Sequence, residues 1–467
     1  MLSPLGHNTL IQLLGKILST LTGLAVVAFM TRGLGTAGFG HFTTIIAFLQ
    51  TFAILVDFGL TMTAGKTLGE KKVDQQKLLG NLLSFRVATA AAAFALAPLA
   101  VMLLPYPLIV KLGVAATNLA FFLASLTQTF QAVFQVSLRS GYLVAADLLG
   151  KLVLLVGTGL AAMMAMPLMT YLAVYTAASA VSAGSTLFYA RKLMPFRWEI
   201  DLSLWRTIWL ATWPIAITIA LNLIYLKADT LILAAYWPAS YVGLYGAAYK
   251  VLEVLLAVPA IVGGLVLPLA AGYLAAANQT KLKQLFHDSF DTLLAAGLAI
   301  VVGSVMIGVP VIILLAGADF TVAGQLLVPL GIATALIFLG NAAGYFIFAL
   351  GKQKQVMPLY LVIAAIALLL YFGLIPRYSY WAAAWSTVGV EALMALASLI
   401  LLKRWGLTPS LVRLPKLVLA TLALGLGLAV PLPLLIKLLL GGGLYLGALW
   451  LLKLIPTQAT AIIKERL

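Results

Sequence analysis

Long apolar runs alternate with short polar connections along the whole chain. Runs such as LAVVAFM, FAILV and LVLPLAA are continuously apolar, whereas the strands of a membrane barrel alternate apolar and polar residues. Most runs approach the twenty residues that a helix needs to cross a bilayer. The pattern predicts fourteen membrane-spanning helices, over residues 9–30, 41–63, 81–104, 113–136, 142–165, 168–190, 207–236, 241–273, 289–315, 322–350, 356–375, 379–402, 416–436 and 437–455.

Prolines modify two parts of this pattern. The eighth span carries Pro259 and Pro268, which predict a kinked or tilted helix. Near the end of the chain, Pro431 and Pro433 divide a long apolar segment into the last two spans.

Composition supports a membrane protein. Of the 467 residues, 63% are hydrophobic and only 9% are charged, whereas soluble domains carry about a quarter charged residues. We therefore expect an all-α polytopic membrane protein. Because the chain has no cysteine, disulfides and thiolate metal sites are excluded.

The formal net charge of +16 is explained by membrane topology. With the N-terminus inside, 20 of the 29 lysines and arginines fall in cytoplasmic connections or the tail, and 5 fall at outer ends. This bias predicts that both termini are cytoplasmic. No arginine-rich arm or basic domain is present, so we expect no nucleic-acid partner.

A short internal similarity recurs at an offset of 203 residues. GTAGFGHFTTIIAFLQTF, from Gly35, is similar to PASYVGLYGAAYKVLEVL, from Pro238, and Gly40 aligns with Gly243. The offset contains an even number of crossings, which is the pattern of parallel transporter repeats. It predicts two six-helix lobes, residues 1–206 and 207–404, followed by two additional helices and a tail, residues 405–467.

Charged side chains within apolar runs are the main candidates for function, because charge at membrane depth is costly. Lys227 and Asp229 lie in the seventh span, and Lys250 and Glu253 share a face of the eighth. Two interpretations stay open for these charges: a mutually neutralising network that fixes helix packing, or a cationic patch for an anionic headgroup. In the second, the acids tune the site or carry protons.

Other polar positions are weaker candidates. Glu391 stands alone in the twelfth span and is a candidate for ion coupling. Gln128 and Gln131 form a stripe on the fourth span that either joins helices or hydrogen-bonds sugar hydroxyls. Asn222 and Asn341 add polar positions at mid-span.

Four further charges receive structural interpretations. Asp147 and Lys151 are spaced as a helical pair, and Arg86 is expected to extend its charge to the membrane surface. We do not place them in the site. Asp57 either caps a bend or pairs with Lys66.

Catalytic and nucleotide-binding motifs are absent from the sequence. No P-loop, GxSxG or HExxH occurs, and the three histidines show no metal-binding spacing. We expect a protein that is not an enzyme, that has no cofactor or metal, and that draws on an H⁺ or Na⁺ gradient or on downhill flow of its substrate.

Two stretches resemble a known family. The segment RGLGTAGFGHFTTIIAFLQTFAILVDFGL and the later LKADTLILAAYWPASYVGLYGAAYKVLE resemble the first two and the seventh and eighth helices of polysaccharide-type, Wzx-like flippases. These belong to the multidrug/oligosaccharidyl-lipid/polysaccharide exporter superfamily, whose members have two six-helix lobes around a central cavity.

The resemblance implies a flippase for an undecaprenyl-pyrophosphate-linked oligosaccharide in surface polysaccharide synthesis. It places the chain in a bacterial inner membrane and implies alternating access, a membrane-lipid environment and a functional monomer. The family's pyrophosphate-binding role falls on Lys16, Arg32, Lys227 and Lys250. The alternatives are a cation-coupled multidrug antiporter, a lipid II flippase, or a glycan polymerase or ligase. Lys16 stands alone in the first helix, without the arginines expected of lipid II flippases.

Overall fold

The structure of the protein is a computed structural model. It describes residues 4–57, 60, 74–137 and 139–454, and within these ranges the side chains of all residues except 4–10, 13, 211 and 213–226. This part of the chain is helical and contains no β-strand. The helices are α1 (Pro4–Asp57), α2 (Gln75–Met102), α3 (Leu108–Val136), α4 (Ser140–Met163), α5 (Leu168–Leu193), α6 (Leu202–Tyr236), α7 (Ala239–Leu255), α8 (Ala257–Ala275), α9 (Gln279–Ala316), α10 (Thr321–Ala349), α11 (Gln353–Arg404), α12 (Leu414–Ala429) and α13 (Leu434–Leu451).

Nine helical segments among the described residues are long and apolar enough to cross a membrane. Helices suit this environment because all of their backbone hydrogen bonds are made within the segment. The prediction of an all-α, multi-pass membrane protein is confirmed, and the count of fourteen spans stays a prediction.

Two of the long helices contain a sharp turn. In α1 the turn is at Gly35 (φ 63°), and in α11 it is at Ser379 (φ 56°). Both positions have left-handed backbone conformations, which glycine adopts at little cost and serine adopts rarely. Each turn lies at the junction of two predicted spans.

The predicted eighth span is interrupted before Pro259, whereas Pro268 lies inside α8. α7 ends at Leu255 and α8 begins at Ala257, three to four residues before Pro259. Proline lacks the N–H that would bond to the carbonyl of Leu255, so the helix breaks at that point. The last predicted boundary also shifts, because Pro433 has an extended backbone and starts α13 at Leu434.

Helix starts differ between the two predicted sides of the membrane. After connections predicted to be cytoplasmic, side-chain caps start α2, α6 and α9: Asp74 accepts from Gln76 N at 3.0 Å, and Asp201 and Asn278 act similarly. After connections predicted to be outside, Pro107, Pro167 and Pro433 start α3, α5 and α13.

The chain divides into two compact units, Met1–Gly243 and Leu244–Leu467. In the first unit α6 packs against α1, and Tyr106 donates a hydrogen bond to the carbonyl of Leu231 in α6 at 3.0 Å. In the second unit α12 and α13 pack on α9, where Tyr445 donates to the carbonyl of Ala295 at 2.8 Å. The lobes predicted over residues 1–206 and 207–404 stay predictions.

Two glycines at the predicted repeat positions allow a close helix crossing within the first unit. A Cβ at Gly40 would lie 1.7 Å from the carbonyl oxygen of Ala239, and one at Gly243 would lie 2.0 Å from that of Thr36. The two pairs are reciprocal, since 36 and 239 differ by the same 203 residues as 40 and 243. Each segment thus contacts the other through equivalent positions, as expected at a crossing of two copies of a duplicated segment.

Candidate functional site

A polar cavity of about 330 Å³ lies inside the first unit. It is formed by α3, α4 and α5, each of which contributes one polar face. The polar residues that line it are Thr127, Gln128, Gln131, Asp147, Lys151, Tyr175, Ser179 and Ser182.

Helical spacing explains why these side chains converge. Gln128 and Gln131 are three residues apart on α3, and Asp147 and Lys151 are four apart on α4, so each pair shares one helix face. α4 and α5 approach closely beside the cavity because Gly150 has no side chain. A Cβ there would lie 2.7 Å from Cβ of Ser182 and 2.9 Å from the carbonyl oxygen of Ala178.

The charged pair of the cavity is joined through α1. Ser19 Oγ donates a hydrogen bond to Asp147 Oδ2 at 2.7 Å. Lys151 Nζ donates to the carbonyl of Ser19 at 3.0 Å and also contacts its hydroxyl. The direct distance between Lys151 Nζ and Asp147 Oδ2 is longer, 3.8 Å. Ser19 therefore bridges two charged groups whose direct contact is long.

The cavity pair stays accessible. The side chain of Asp147 is 49% exposed and that of Lys151 is 31% exposed. Beside them, Gln128 Oε1 is buried and has no hydrogen-bond donor among the described residues. The site therefore offers an ammonium group, a carboxylate, two amides and several hydroxyls to a ligand.

Of the cationic positions predicted for the site, three lie in the first unit. Lys16 is exposed on α1, one turn before Ser19, and its charge acts on Lys151. Arg32 is exposed near the turn of α1, and Lys227 is half-buried on α6.

The fourth cation, Lys250, lies on α7 in the second unit. It forms an ion pair with Glu253 at 2.7 Å, and each side chain is about 30% exposed. This contact agrees with the packing interpretation that the sequence left open for the two residues.

The other predicted positions occupy varied environments. Asp229 is buried and accepts a hydrogen bond from the backbone N–H of Thr230 at 2.6 Å. Glu391 is buried in α11, and Asn341 donates to the carbonyl of Ile337 in its own helix at 3.0 Å. The side chain of Asn222 lies outside the described residues.

Arg86 does not extend to the membrane surface as predicted. Its side chain is fully buried and bonds Asp57 Oδ1 at 2.7 Å, the carbonyl of Val56 at 3.1 Å and Thr129 Oγ1 at 3.0 Å. Because α1 and α3 supply these acceptors, the guanidinium is held inside and joins three helices. Lys66, the predicted partner of Asp57, lies outside the described residues.

Sequence reasoning placed Gln128 and Gln131 among the cavity candidates but left out Asp147 and Lys151. A helical pair at this spacing suggests mutual neutralisation. The sequence does contain a relevant signal: polar stripes on α3, α4 and α5, and the hydroxyl of Ser19 in α1. This signal identifies the site only when it is known which helix faces meet.

The fold and the cavity define a class: a helical, multi-pass membrane protein with a polar cavity in its membrane-spanning part. The sequence model of the polysaccharide biosynthesis protein family matches residues 5–273. The chain belongs to this family. No curated protein matches the sequence.

Solved structures with a similar fold include flippases and transporters. The lipid II flippase MurJ in an inward closed conformation aligns with a TM-score of 0.79 at 14% identity, over 94% of this chain and 98% of that one. An inward-facing multidrug resistance MATE transporter of the MOP superfamily aligns at 0.66, with 12% identity over 83% and 93%. The MATE multidrug transporter DinF-BH, in complex with R6G, aligns at 0.63, with 16% identity over 86% and 95%.

Proposed function

We propose that this protein flips a polyprenyl-pyrophosphate-linked oligosaccharide from the cytoplasmic to the outer leaflet of a bacterial inner membrane by alternating access. The family supports a role in polysaccharide synthesis. The observation that carries the proposal is the cavity of the first unit, where an accessible lysine lies beside amides and hydroxyls. The ammonium suits a phosphate, and the neutral groups suit a sugar.

Lys151 is the proposed phosphate ligand. In the structure its ammonium is held by the carbonyl of Ser19 and, at 3.8 Å, by Asp147. A pyrophosphate carries more negative charge than one carboxylate and would displace Asp147 as the partner. A lysine binds phosphate as a point charge without the fixed bidentate geometry of arginine, which favours release after transport. Lys16, one α1 turn from Ser19, would add to the attraction.

The uncharged groups would hold the glycan. Gln128 and Gln131 provide amide donors and acceptors, and Ser179 and Ser182 provide hydroxyls across the cavity. The unsatisfied Gln128 Oε1 would gain a donor from a sugar hydroxyl, and this gain is favourable because a buried acceptor without a partner is costly.

Asp147 provides a route for ion coupling. Binding of a coupling cation, H⁺ or Na⁺, at this carboxylate would offset its negative charge and leave the positive charge of Lys151 for an anionic headgroup. Release of the cation would restore the competing partner and favour release of the substrate. Ion coupling through this pair extends the expected roles of Asp229, Glu253 and Glu391 as coupling or tuning residues.

The test measures flipping in proteoliposomes. A fluorescent polyprenyl-pyrophosphate oligosaccharide is incorporated, and its accessibility to an impermeant quencher is followed over time. We expect Lys151→Gln to lower the flipping rate at least about tenfold, since one charge-assisted contact contributes about 1.5–3 kcal/mol. Lys354→Gln, an exposed position at the start of α11, is the matched control and should leave the rate unchanged.

Two results would overturn the proposal. Wild-type protein that does not flip the lipid-linked oligosaccharide, but does flip lipid II, would assign the other flippase function. A Lys151→Gln variant that flips at the wild-type rate would remove the lysine from the mechanism.

The exposed carboxylate of the cavity favours one second candidate, a cation-coupled multidrug antiporter. Asp147 is more exposed than Lys151 and could bind an organic cation. In that case Asp147→Asn would abolish export of a cationic dye, and Lys151→Gln would raise it by removing a competing charge. The flippase proposal predicts that neither variant exports the dye.

A further inference from the structure

A second concave surface lies on α5, on the opposite side of that helix from the cavity. Five residues line it: Gly184, Leu187, Phe188, Arg191 and Lys192, around a volume of about 370 Å³. Their spacing of three and four residues places them on one helix face. At about 100° per residue, this face points away from Ser179 and Ser182. We refer to it as the α5 groove.

The α5 groove is apolar at one end and cationic at the other. Gly184 leaves open space, since a Cβ there would have no neighbour within 4 Å, and Phe188 is 55% exposed. One turn further along, Lys192 Nζ lies 4.3 Å from the centre of the Phe188 ring. The described side chains that line the groove include two cations and no acid.

The segment after α5 is fixed, so the cationic end has a defined position. Ser84 of α2 donates a hydrogen bond to the carbonyl of Glu199 at 2.6 Å, and Asn81 accepts one from the backbone N–H of Asp201 at 2.7 Å. Arg191 lies over the ring of Phe196 at 5.4 Å.

The two acids of this segment, Glu199 and Asp201, both act on Lys77 of α2. Asp201 forms an ion pair with Lys77 at 3.0 Å, and the charge of Glu199 also acts on that lysine. Neither acid lines the groove, so the groove retains a positive end at Arg191 and Lys192.

We propose that the α5 groove binds one anionic phospholipid. The phosphate lies between Arg191 and Lys192, and an acyl chain passes Phe188 and Leu187 into the space above Gly184. A basic cluster at the end of a membrane helix attracts anionic headgroups, and the adjoining apolar surface adds affinity in proportion to the area that the chain covers. A soluble anion would contact only Arg191 and Lys192 and would not cover the apolar surface.

The test measures lipid binding alone, so its result is independent of whether the protein flips a glycan. Purified full-length protein in neutral detergent is titrated with dioleoylphosphatidylglycerol or dioleoylphosphatidylcholine, and bound lipid is counted by native mass spectrometry. We expect the anionic lipid to be retained preferentially. Arg191→Gln with Lys192→Gln should weaken its binding about thirtyfold, because each basic residue contributes about fivefold at a membrane surface.

Two matched controls separate this groove from general surface charge. Lys403→Gln with Arg404→Gln removes an equivalent exposed basic pair at the end of α11 and should leave retention of phosphatidylglycerol unchanged. Gly184→Leu fills the acyl end without altering charge and should weaken lipid binding, whereas Gly303→Leu, at another glycine with open space, should not.

A competition experiment distinguishes a lipid from a soluble phosphate. We expect inorganic phosphate at millimolar concentration not to displace phosphatidylglycerol. Equal loss from both double variants, or unchanged binding in Gly184→Leu with displacement by phosphate, would overturn the proposal.

Discussion

Two charged clusters in the first unit show how differently a membrane protein can use a cation and an acid. Arg86 and Asp57 form a tight pair at 2.7 Å in which the guanidinium is completely buried. Lys151 and Asp147 lie 3.8 Å apart, are both accessible, and depend on Ser19 as an intermediary. In the Arg86 cluster the protein itself supplies the hydrogen-bond partners. In the Lys151 cluster the charged groups remain accessible to a ligand. A structural ion pair is distinguished from a binding site by how deeply its groups are buried and by how many of their hydrogen bonds the protein makes itself, rather than by charge alone.

The largest expected effect is on stability, at the buried cluster. Arg86→Met removes the guanidinium that bonds Asp57, the carbonyl of Val56 and Thr129, and removing one member of a buried pair costs about 3 kcal/mol or more. Lys151→Met should cost less than about 1 kcal/mol, as is usual for accessible pairs. Unfolding in detergent, followed by circular dichroism, measures both. Equal losses of stability would remove the distinction between the clusters.

The close approach of α4 and α5 provides the next test. Gly150→Ala places a methyl group 2.7 Å from Ser182 Cβ, which forces the helices apart at a cost of about 1–3 kcal/mol and distorts the cavity. Gly159→Ala on the same helix meets only the ring of Phe29 at 3.6 Å and should be tolerated. Flipping and thermal unfolding are measured for both variants. Normal flipping by Gly150→Ala would show that the cavity wall does not matter for transport.

Ser19 tests whether the accessible pair needs its intermediary. Ser19→Ala removes the hydrogen bond to Asp147 and the hydroxyl contact of Lys151, so the ammonium loses part of its fixed position. We expect flipping to fall about three- to tenfold, which corresponds to one hydrogen bond of about 1 kcal/mol. Thr22→Ala is the matched control, because Thr22 Oγ1 donates only to the carbonyl of Leu18 in its own helix. If both variants flip equally, Ser19 has no role in the site.

The smallest effect concerns an exposed pair outside both clusters. The hydrogen bond from Lys77, followed by backbone hydrogen bonds from Leu204 and Ser203, lowers the pKa of Asp201 below 3.8. A carboxyl group whose pKa is lower in the folded state stabilises it above the ordinary pKa, and this contribution is lost as the pH falls through the folded-state value. Asp201→Asn should therefore lower the unfolding temperature slightly at neutral pH, and by progressively less as the pH falls below 3.8. Asparagine also caps helices, so the difference isolates the charge. A difference that does not depend on pH would contradict this assignment.

Sequence patterns were sufficient for the fold and insufficient for the cavity. Apolar runs and the positions of Gly35 and the prolines mark where helices turn, because these properties act locally along the chain. The polar stripe of Gln128 and Gln131 was visible for the same reason. The role of Ser19 was not, since it depends on α1 meeting α4, 128 residues further along the chain.

Charge placement shows the same limit. Arg86 and Lys151 both lie in apolar runs. Lys151 has an acid four residues before it and Arg86 has none at that spacing, but this local difference does not predict which of the two side chains is buried. Arg86 is buried because Asp57, Val56 and Thr129 happen to surround it with acceptors. Lys151 stays accessible because the faces of α3, α4 and α5 around it leave a cavity. Only tertiary packing separates the two cases.

The most direct test of the account compares two substrates that differ in one phosphate. Flipping rates are measured for a polyprenyl-pyrophosphate oligosaccharide and for its monophosphate analogue, in wild-type protein and in Lys151→Gln. If Lys151 binds the phosphate group, wild-type protein will favour the pyrophosphate substrate by about tenfold, and the variant will lose most of that preference. A variant that keeps the wild-type preference would contradict the claim that the cavity lysine recognises the headgroup.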